Sequence, residues 1–354
     1  MPINVVDPVF QTALFASFFV SLIVLTARRD PQPHEMNHSH TNELKGIAIL
    51  MVLFSHIGYF LFTDHQFLYP FSVAGGVGVN LFLFLSGFGL TISAIKSQLP
   101  ILRFYLKRLR NIFVPMWLML IPVLVLDAYL LNRVYDFKTV LRSFLGFFPV
   151  ADLDTSINSP LWYFSLILFY YLIFPLVFWR NKVLLSAVAI WLLGFIMTKL
   201  NLPVSRDVLK LYQLHYLAFP LGMSLAYIFS KKPVLPAFLR TDFVRYVLII
   251  LLACVFGYTA IHSGIGGKIT TEHLISLVTM SSALLIVLLM NFQSDVLIVL
   301  GKYSYEIYLI QWPLMYRYDI IYKHTPAYLG TLLYLAVFLV IGFILHRLAK
   351  PATS

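Results

Sequence analysis

The sequence predicts an all-α polytopic membrane protein: about ten core transmembrane helices, one extra helix ahead of them, about eleven in all, and no soluble domain. Three observations predict it. Of 354 residues, 60% are hydrophobic and only 12% are charged, with a mean hydropathy of +0.84, more apolar than any soluble domain requires. Apolar runs of membrane-crossing length recur along the whole chain, near 9–27, 44–63, 74–95, 111–131, 160–179, 183–199, 211–229, 243–261, 273–291, 296–316 and 326–346. The connections between them are asymmetric in charge. With the N-terminus outside and the C-terminus inside, 17 of the 26 Lys and Arg residues fall on the inner side. The same bias accounts for the net charge of +11, so no nucleic-acid partner is needed. The expected location is the cell (inner, cytoplasmic) membrane, crossed many times.

Taken in order, the first apolar run follows Met1 to Pro8, which carries Asp7 and no Lys or Arg. Lacking the positive region of a signal peptide, it is expected to remain as a helix entering from outside. Next comes DPQPHEMNHSHTN, where Asp30-Pro31 and Pro33 stop the helix and Thr41 or Asn42 is the expected cap of the next one. His34, His38 and His40 lack cysteines and a fixed ligand spacing, so they read as a solvated loop rather than a metal site. The chain therefore divides into 1–41, an extra helix with its cytoplasmic loop, and 42–354, the main membrane domain. Cys254 lies alone in an apolar run, which excludes a disulfide framework and predicts an inert thiol in the core.

The stretch NELKGIAILMVLFSHIGY, from Asn42 to Tyr59, opens the second helix. Lys45 and His56 are 11 residues apart, which on a helix is about 20° off a common face and about 16 Å along the axis. A cation at the membrane surface is thus aligned with an imidazole near the bilayer centre. An ionisable group at that depth faces a bundle interior or a water-filled path and marks a functional site by default. The plainer reading is a neutral histidine bonded to a neighbouring helix and a lysine that snorkels to the interface. Lys45 also opposes the macrodipole of its own first turn, and with the free amides there it forms a candidate anion site.

Further polar groups punctuate the later helices. GGVGVNLFLFLSGFGLTISAIK, from Gly75, has glycines suited to close helix contact and carries Asn80 and Ser86 inside an apolar span. KSQLPILRFYLKRLRNIFVP holds Arg103, Lys107, Arg108 and Arg110 at helical spacing, either as positive-inside anchors beside anionic lipid or as a pocket for a phosphorylated ligand. Trp162 and Tyr163, at the start of the helix that runs to Pro175, are interfacial aromatics or a stacking surface for a sugar ring. LGKYSYEIYLIQWP places Glu306 and Gln311 at membrane depth, with Lys302 four residues before Glu306 as its neutralising partner.

In this order and spacing the pieces resemble the acyltransferase family 3 membrane proteins, bacterial enzymes that acylate sugars and surface polysaccharides. Lys45 and His56 match its basic residue, ten others, then His. Leu81 to Phe88 matches its LFFxLSGF-type helix, Arg103 to Arg110 its basic segment, Trp162 to Pro175 its Trp-to-Pro helix, and Ser304 to Leu309 its SYxIYL helix. Three positions depart from it: Asn80 stands where many members carry Asp, Ile167 where many carry Glu, and Gln311 where many carry His.

The resemblance implies an acyl-CoA donor, acetyl-CoA above all, on the cytoplasmic side and a glycan or lipid-linked sugar acceptor on the other, with no metal. A desolvated, neutral imidazole can take a proton, so His56 is the expected general base or transient acyl carrier. Lys45 with Arg103, Lys107, Arg108 and Arg110 is the expected holder of the CoA phosphates, and Lys45 is alternatively a catalytic residue that biases the proton affinity of groups lining the path to His56. Asn80, Ser86 and Gln311 are candidate donors to the thioester oxyanion, and Trp162 and Glu306 candidate walls of the site. The competing reading is a transporter or exporter of sugar polymers without covalent chemistry, since buried histidines and acids also build proton relays. No inverted repeat in the hydropathy pattern favours it.

Overall fold

The structure, a computed structural model, describes residues 3–62, 65–97, 100–231, 235–263 and 268–349. Lys232 and Lys350, counted above among the inner cations, lie outside them. The helices are α1 (Pro8–Leu25), α2 (His38–Ser55), α3 (Gly75–Lys96), α4 (Ile101–Arg108), α5 (Val114–Leu131), α6 (Phe137–Phe144), α7 (Trp162–Val177), α8 (Val183–Met197), α9 (Arg206–His215), α10 (Ala218–Lys231), α11 (Asp242–Ile261), α12 (Ile269–Leu289), α13 (Asp295–Lys302), α14 (Ser304–Trp312) and α15 (Ala327–Ala349). Strands β1 (Ala27–Arg29) and β2 (Phe292–Ser294) pair antiparallel and tie the end of α1 to the start of α13. The protein is an all-α polytopic membrane protein.

Among the described residues, eight helices are long and apolar enough to cross a bilayer. Every apolar segment read from the sequence is helical, but three differ in form. The segment at 183–199 is the 15-residue α8. That at 211–229 is divided between α9, whose first turn Ser205 caps by accepting from the Val208 N–H, and α10. That at 296–316 is interrupted at Tyr303 and ends in a π-helical turn, Pro313–Arg317, where proline supplies no amide. The basic segment α4 continues through a second π-helical turn, Leu109–Phe113, into α5, giving one span from Ile101 to Leu131.

Helix α2 is the axis of the bundle, packed between α3, α13 and α14. It approaches α13 closely because a Cβ on Gly46 would strike the Leu297 carbonyl and one on Gly301 the Asn42 carbonyl. Helices without a hydrophobic force between them associate by this kind of close backbone contact. The lipid-facing rim is apolar, and α11 exposes Phe243, Ile250 and Tyr258 along its outer side.

Several local expectations are corrected. Helix α2 begins at His38, and its cap is Asn37, which accepts from the His40 N–H at 3.0 Å, not Thr41 or Asn42. His34 and His40 are buried rather than solvated. His34 Nδ1 donates to the Leu288 carbonyl at 3.0 Å, and His40 Nε2 lies 2.9 Å from Asp30 Oδ2. That turn reads as polar by composition, yet β1–β2 pairing folds it under α2, where Gln293 also donates to Asp30. Cys254 is exposed on α11, not in the core. The polar stretch 132–159 contains α6.

Candidate active site

His56 sits where α2 changes to a π-helical turn, His56–Leu61. Such turns widen the helix and frequently mark functional positions. The ring is fixed on two sides by α14. Its Nδ1–H donates to Gln311 Oε1 at 3.1 Å, and the Trp312 ring meets it edge-on with centroids 5.2 Å apart. With Nδ1 protonated and engaged, Nε2 carries the lone pair.

His56, Trp312, Trp162, His215, Ser276 and Glu272 line a cavity of about 180 Å³. His215 was not singled out from the sequence. It ends α9, is 2% exposed, and its Nδ1–H donates to Asn80 Oδ1 at 2.8 Å, while Asn80 Nδ2 donates to Ser276 Oγ at 2.8 Å. Asn80 is therefore a clamp for a second imidazole, its amide oxygen taken by His215 and its nitrogen engaged with Ser276. His215 stacks on Trp162, 5.7 Å apart and 20° from parallel. Two histidines thus share one cavity, each oriented through Nδ1 by a side-chain amide.

The segment 151–160 covers this cavity with Ala151, Leu153, Ser159 and Pro160. It is tied down from α14 and the turn after it. Asn158 donates to the Leu309 carbonyl at 2.8 Å, Tyr316 to Asp154 Oδ1 at 2.9 Å, and Arg317 bridges the Ser156 carbonyl to the buried Asp127 carboxylate. Hydrogen bonds from the Thr155 hydroxyl and amide hold the Asp152 carboxyl below its usual range.

A second cavity, of about 270 Å³, lies at the other end of α2. Lys45, Arg108, Lys302, Glu306, His346 and Ser86 line it. Glu306 Oε1 lies 2.6 Å from His346 Nδ1, so its partner is a histidine of α15. The anticipated Lys302 partner is drawn off because α13 ends there, and its ammonium lies 5.2 Å from the Tyr303 ring centroid. Ser86 Oγ accepts from the Tyr171 hydroxyl at 3.3 Å. The Arg108 guanidinium is held between Phe104 and Tyr171, 5.5 and 5.3 Å from their ring centroids. Arg103, Lys107 and Arg110 are exposed and do not line the cavity. Tyr163 and Tyr308 line this cavity and meet edge-on, 5.6 Å apart, and the Tyr308 hydroxyl donates to the carbonyl of Pro160, a residue of the first cavity. The two cavities abut across this tyrosine pair.

The fold is thus a polytopic helical bundle with an oriented imidazole in one cavity and a cationic cavity adjoining it. The family model for acyltransferase family 3, described as an acyltransferase domain, matches residues 42–347, and the chain belongs to that family. A curated relative, an O-acetyl transferase of Shigella phage Sf6, is 28% identical over 311 residues, covering 79% of this chain and 85% of the relative. No solved structure matches. The protein is an acyltransferase, and the transporter reading gives way to that membership.

Proposed function

We propose that the protein transfers an acyl group, acetyl in the first instance, from cytoplasmic acyl-CoA to a hydroxyl of a sugar or polysaccharide on the far side of the membrane, with residues 42–354 as the acyltransferase unit and α1 as an accessory helix. One observation carries this reading: α2 bears Lys45 in a cavity of fixed cations at one end and the oriented imidazole of His56 in a separate cavity at the other. Lys45 and Arg108 suit the CoA phosphates, and exposed Arg103, Lys107 and Arg110 suit either those phosphates or anionic lipid headgroups. The clustering of these cations supports the cytoplasmic assignment of that end.

In the reaction the acceptor hydroxyl attacks the thioester carbonyl. The C–O bond forms, the C–S bond breaks, the hydroxyl proton passes to His56 Nε2 and from there to the departing CoA thiolate. Gln311 keeps the imidazole in the tautomer that can accept that proton. The thioester reaches His56 past Tyr163 and Tyr308, and Trp162 forms part of the acceptor side.

The test uses purified protein in liposomes, radiolabelled acetyl-CoA supplied on one face and a glycan acceptor on the other. Label appears on the glycan with wild type, and His56→Ala lowers the rate by roughly 10²–10⁴-fold with folding intact. Transfer by His56→Ala at the wild-type rate, or glycan translocation without labelling by any acyl-CoA, would end this reading.

A further inference from the structure

The indole of Trp312 is 1% exposed, and among the described residues its N–H has no hydrogen-bond partner. Buried donors are almost always paired, and one that is not has a reason to be sought. The residue that carries it is part of the wall of the His56 cavity. The ring is held in place by its edge-on contact with His56, by stacking on Tyr316 at 4.6 Å and 14°, and by Phe60 at 5.8 Å. Two hydroxyls of the cavity already have acceptors. The Ser159 hydroxyl donates to the Ala151 carbonyl at 2.9 Å and the Ser263 hydroxyl to the Ala260 carbonyl at 2.7 Å.

Acyl transfer at His56 creates a need for such a donor. As the hydroxyl adds to the thioester, the carbonyl oxygen becomes an oxyanion, which must lie within a few ångströms of the base that takes the hydroxyl proton. A preorganised N–H in a water-poor cavity stabilises that charge far more than it would in water. Resting on the acyl-transfer reading above, we propose that Trp312 is a catalytic residue whose indole N–H donates to the acyl carbonyl oxygen as it becomes the oxyanion. When the tetrahedral adduct collapses, C–S cleavage returns that oxygen to a carbonyl and the indole keeps its proton throughout. His56 moves the proton; Trp312 carries the charge.

The experiment compares wild type, Trp312→Phe and a variant carrying 3-benzothienylalanine at position 312, which keeps the bicyclic shape and replaces N–H by sulfur. Initial rates are measured over both acetyl-CoA and acceptor, with thermal unfolding of each protein. The proposal expects kcat to fall about 100-fold in both variants. KM for both substrates stays within about twofold, because the interaction is made in the transition state. Tm is unchanged or raised, because a buried donor without a protein partner has been removed. An unchanged kcat in the benzothienyl variant overturns the proposal, whatever the fate of the Phe variant. A lowered Tm in that variant also overturns it, assigning the N–H to an ordered water or a structural bond. Absence of transfer by the wild type itself is a distinct outcome, which removes the acyl-transfer reading and this proposal with it.

Discussion

The two cavities share helices α2, α7 and α14 and differ in kind. Helix α2 gives His56 to one and Lys45 to the other. Helix α7 gives Trp162 to the first and Tyr163 to the second, and α14 gives Trp312 to the first and Glu306 and Tyr308 to the second. Around His56 two imidazoles are fixed by amides, Gln311 on His56 and Asn80 on His215, with the Glu272 carboxyl also in the wall. Around Lys45 they are charges, with Glu306 set against His346 and Arg108 laid on aromatic faces. Neutral oriented groups suit proton transfer in a desolvated space, whereas fixed cations suit a polyanion that must be bound and released. On the proposed function, the difference puts chemistry at one end of α2 and donor recognition at the other.

The largest effect that can break this division is on the cationic side. Lys45→Ala combined with Arg108→Ala is expected to raise the KM for acetyl-CoA roughly 100-fold while kcat at saturation stays within a few-fold, as loss of binding shared by ground and transition states does. Steady-state kinetics over a wide donor range decide it. A collapse of kcat with KM unmoved would place these cations in the chemistry and dissolve the distinction between the cavities.

A smaller effect sharpens the His56 side. Asn80→Leu leaves His215 Nδ1–H and Ser276 without their shared amide and is expected to lower stability by about 1–3 kcal/mol, read as a reduced Tm. It is expected to cut kcat/KM for the acceptor about tenfold, on the scale of one lost hydrogen-bonded positioning contact, and to leave the donor KM unchanged. Should the donor KM rise as well, the two cavities are coupled and His215 belongs to both.

How much of this was legible in the sequence varied with the distance over which each signal acts. The spans were legible because bilayer thickness imposes a length on apolar runs. Lys45 and His56 could be set on one helix because helical period alone relates residues 11 apart. The breaks at Tyr303 and between α9 and α10 were not legible, since both sides remain apolar and only packing makes the chain turn. His215 escaped notice because the residue that gives it meaning, Asn80, is 135 positions away, and Asn80 by itself reads as a helix-packing amide. His34 and His40 were misread because local polarity suggests solvent, whereas their partners, Leu288 and Asp30, are brought over them by a two-stranded sheet closed from the far end of the chain.

The basic segment supplies the finest comparison, because helical spacing admits Arg103, Lys107, Arg108 and Arg110 equally and the structure does not. Only Arg108 lines the Lys45 cavity; the other three are exposed. Exposed charges act across solvent, where salt at physiological strength screens them beyond about 8 Å. Arg103→Ala and Arg110→Ala are therefore each expected to change the donor KM by no more than about twofold at that ionic strength, a shift that fades further as salt is added. Arg108→Ala alone is expected to exceed either, and to keep most of its effect in high salt because its guanidinium is enclosed by Phe104 and Tyr171. A salt titration of all three single variants separates the cases. Equal, salt-sensitive effects would mean that donor attraction is a property of the whole basic surface. A salt-resistant loss confined to Arg108 would mean that recognition begins inside the cavity, with the exposed cations left to hold the membrane.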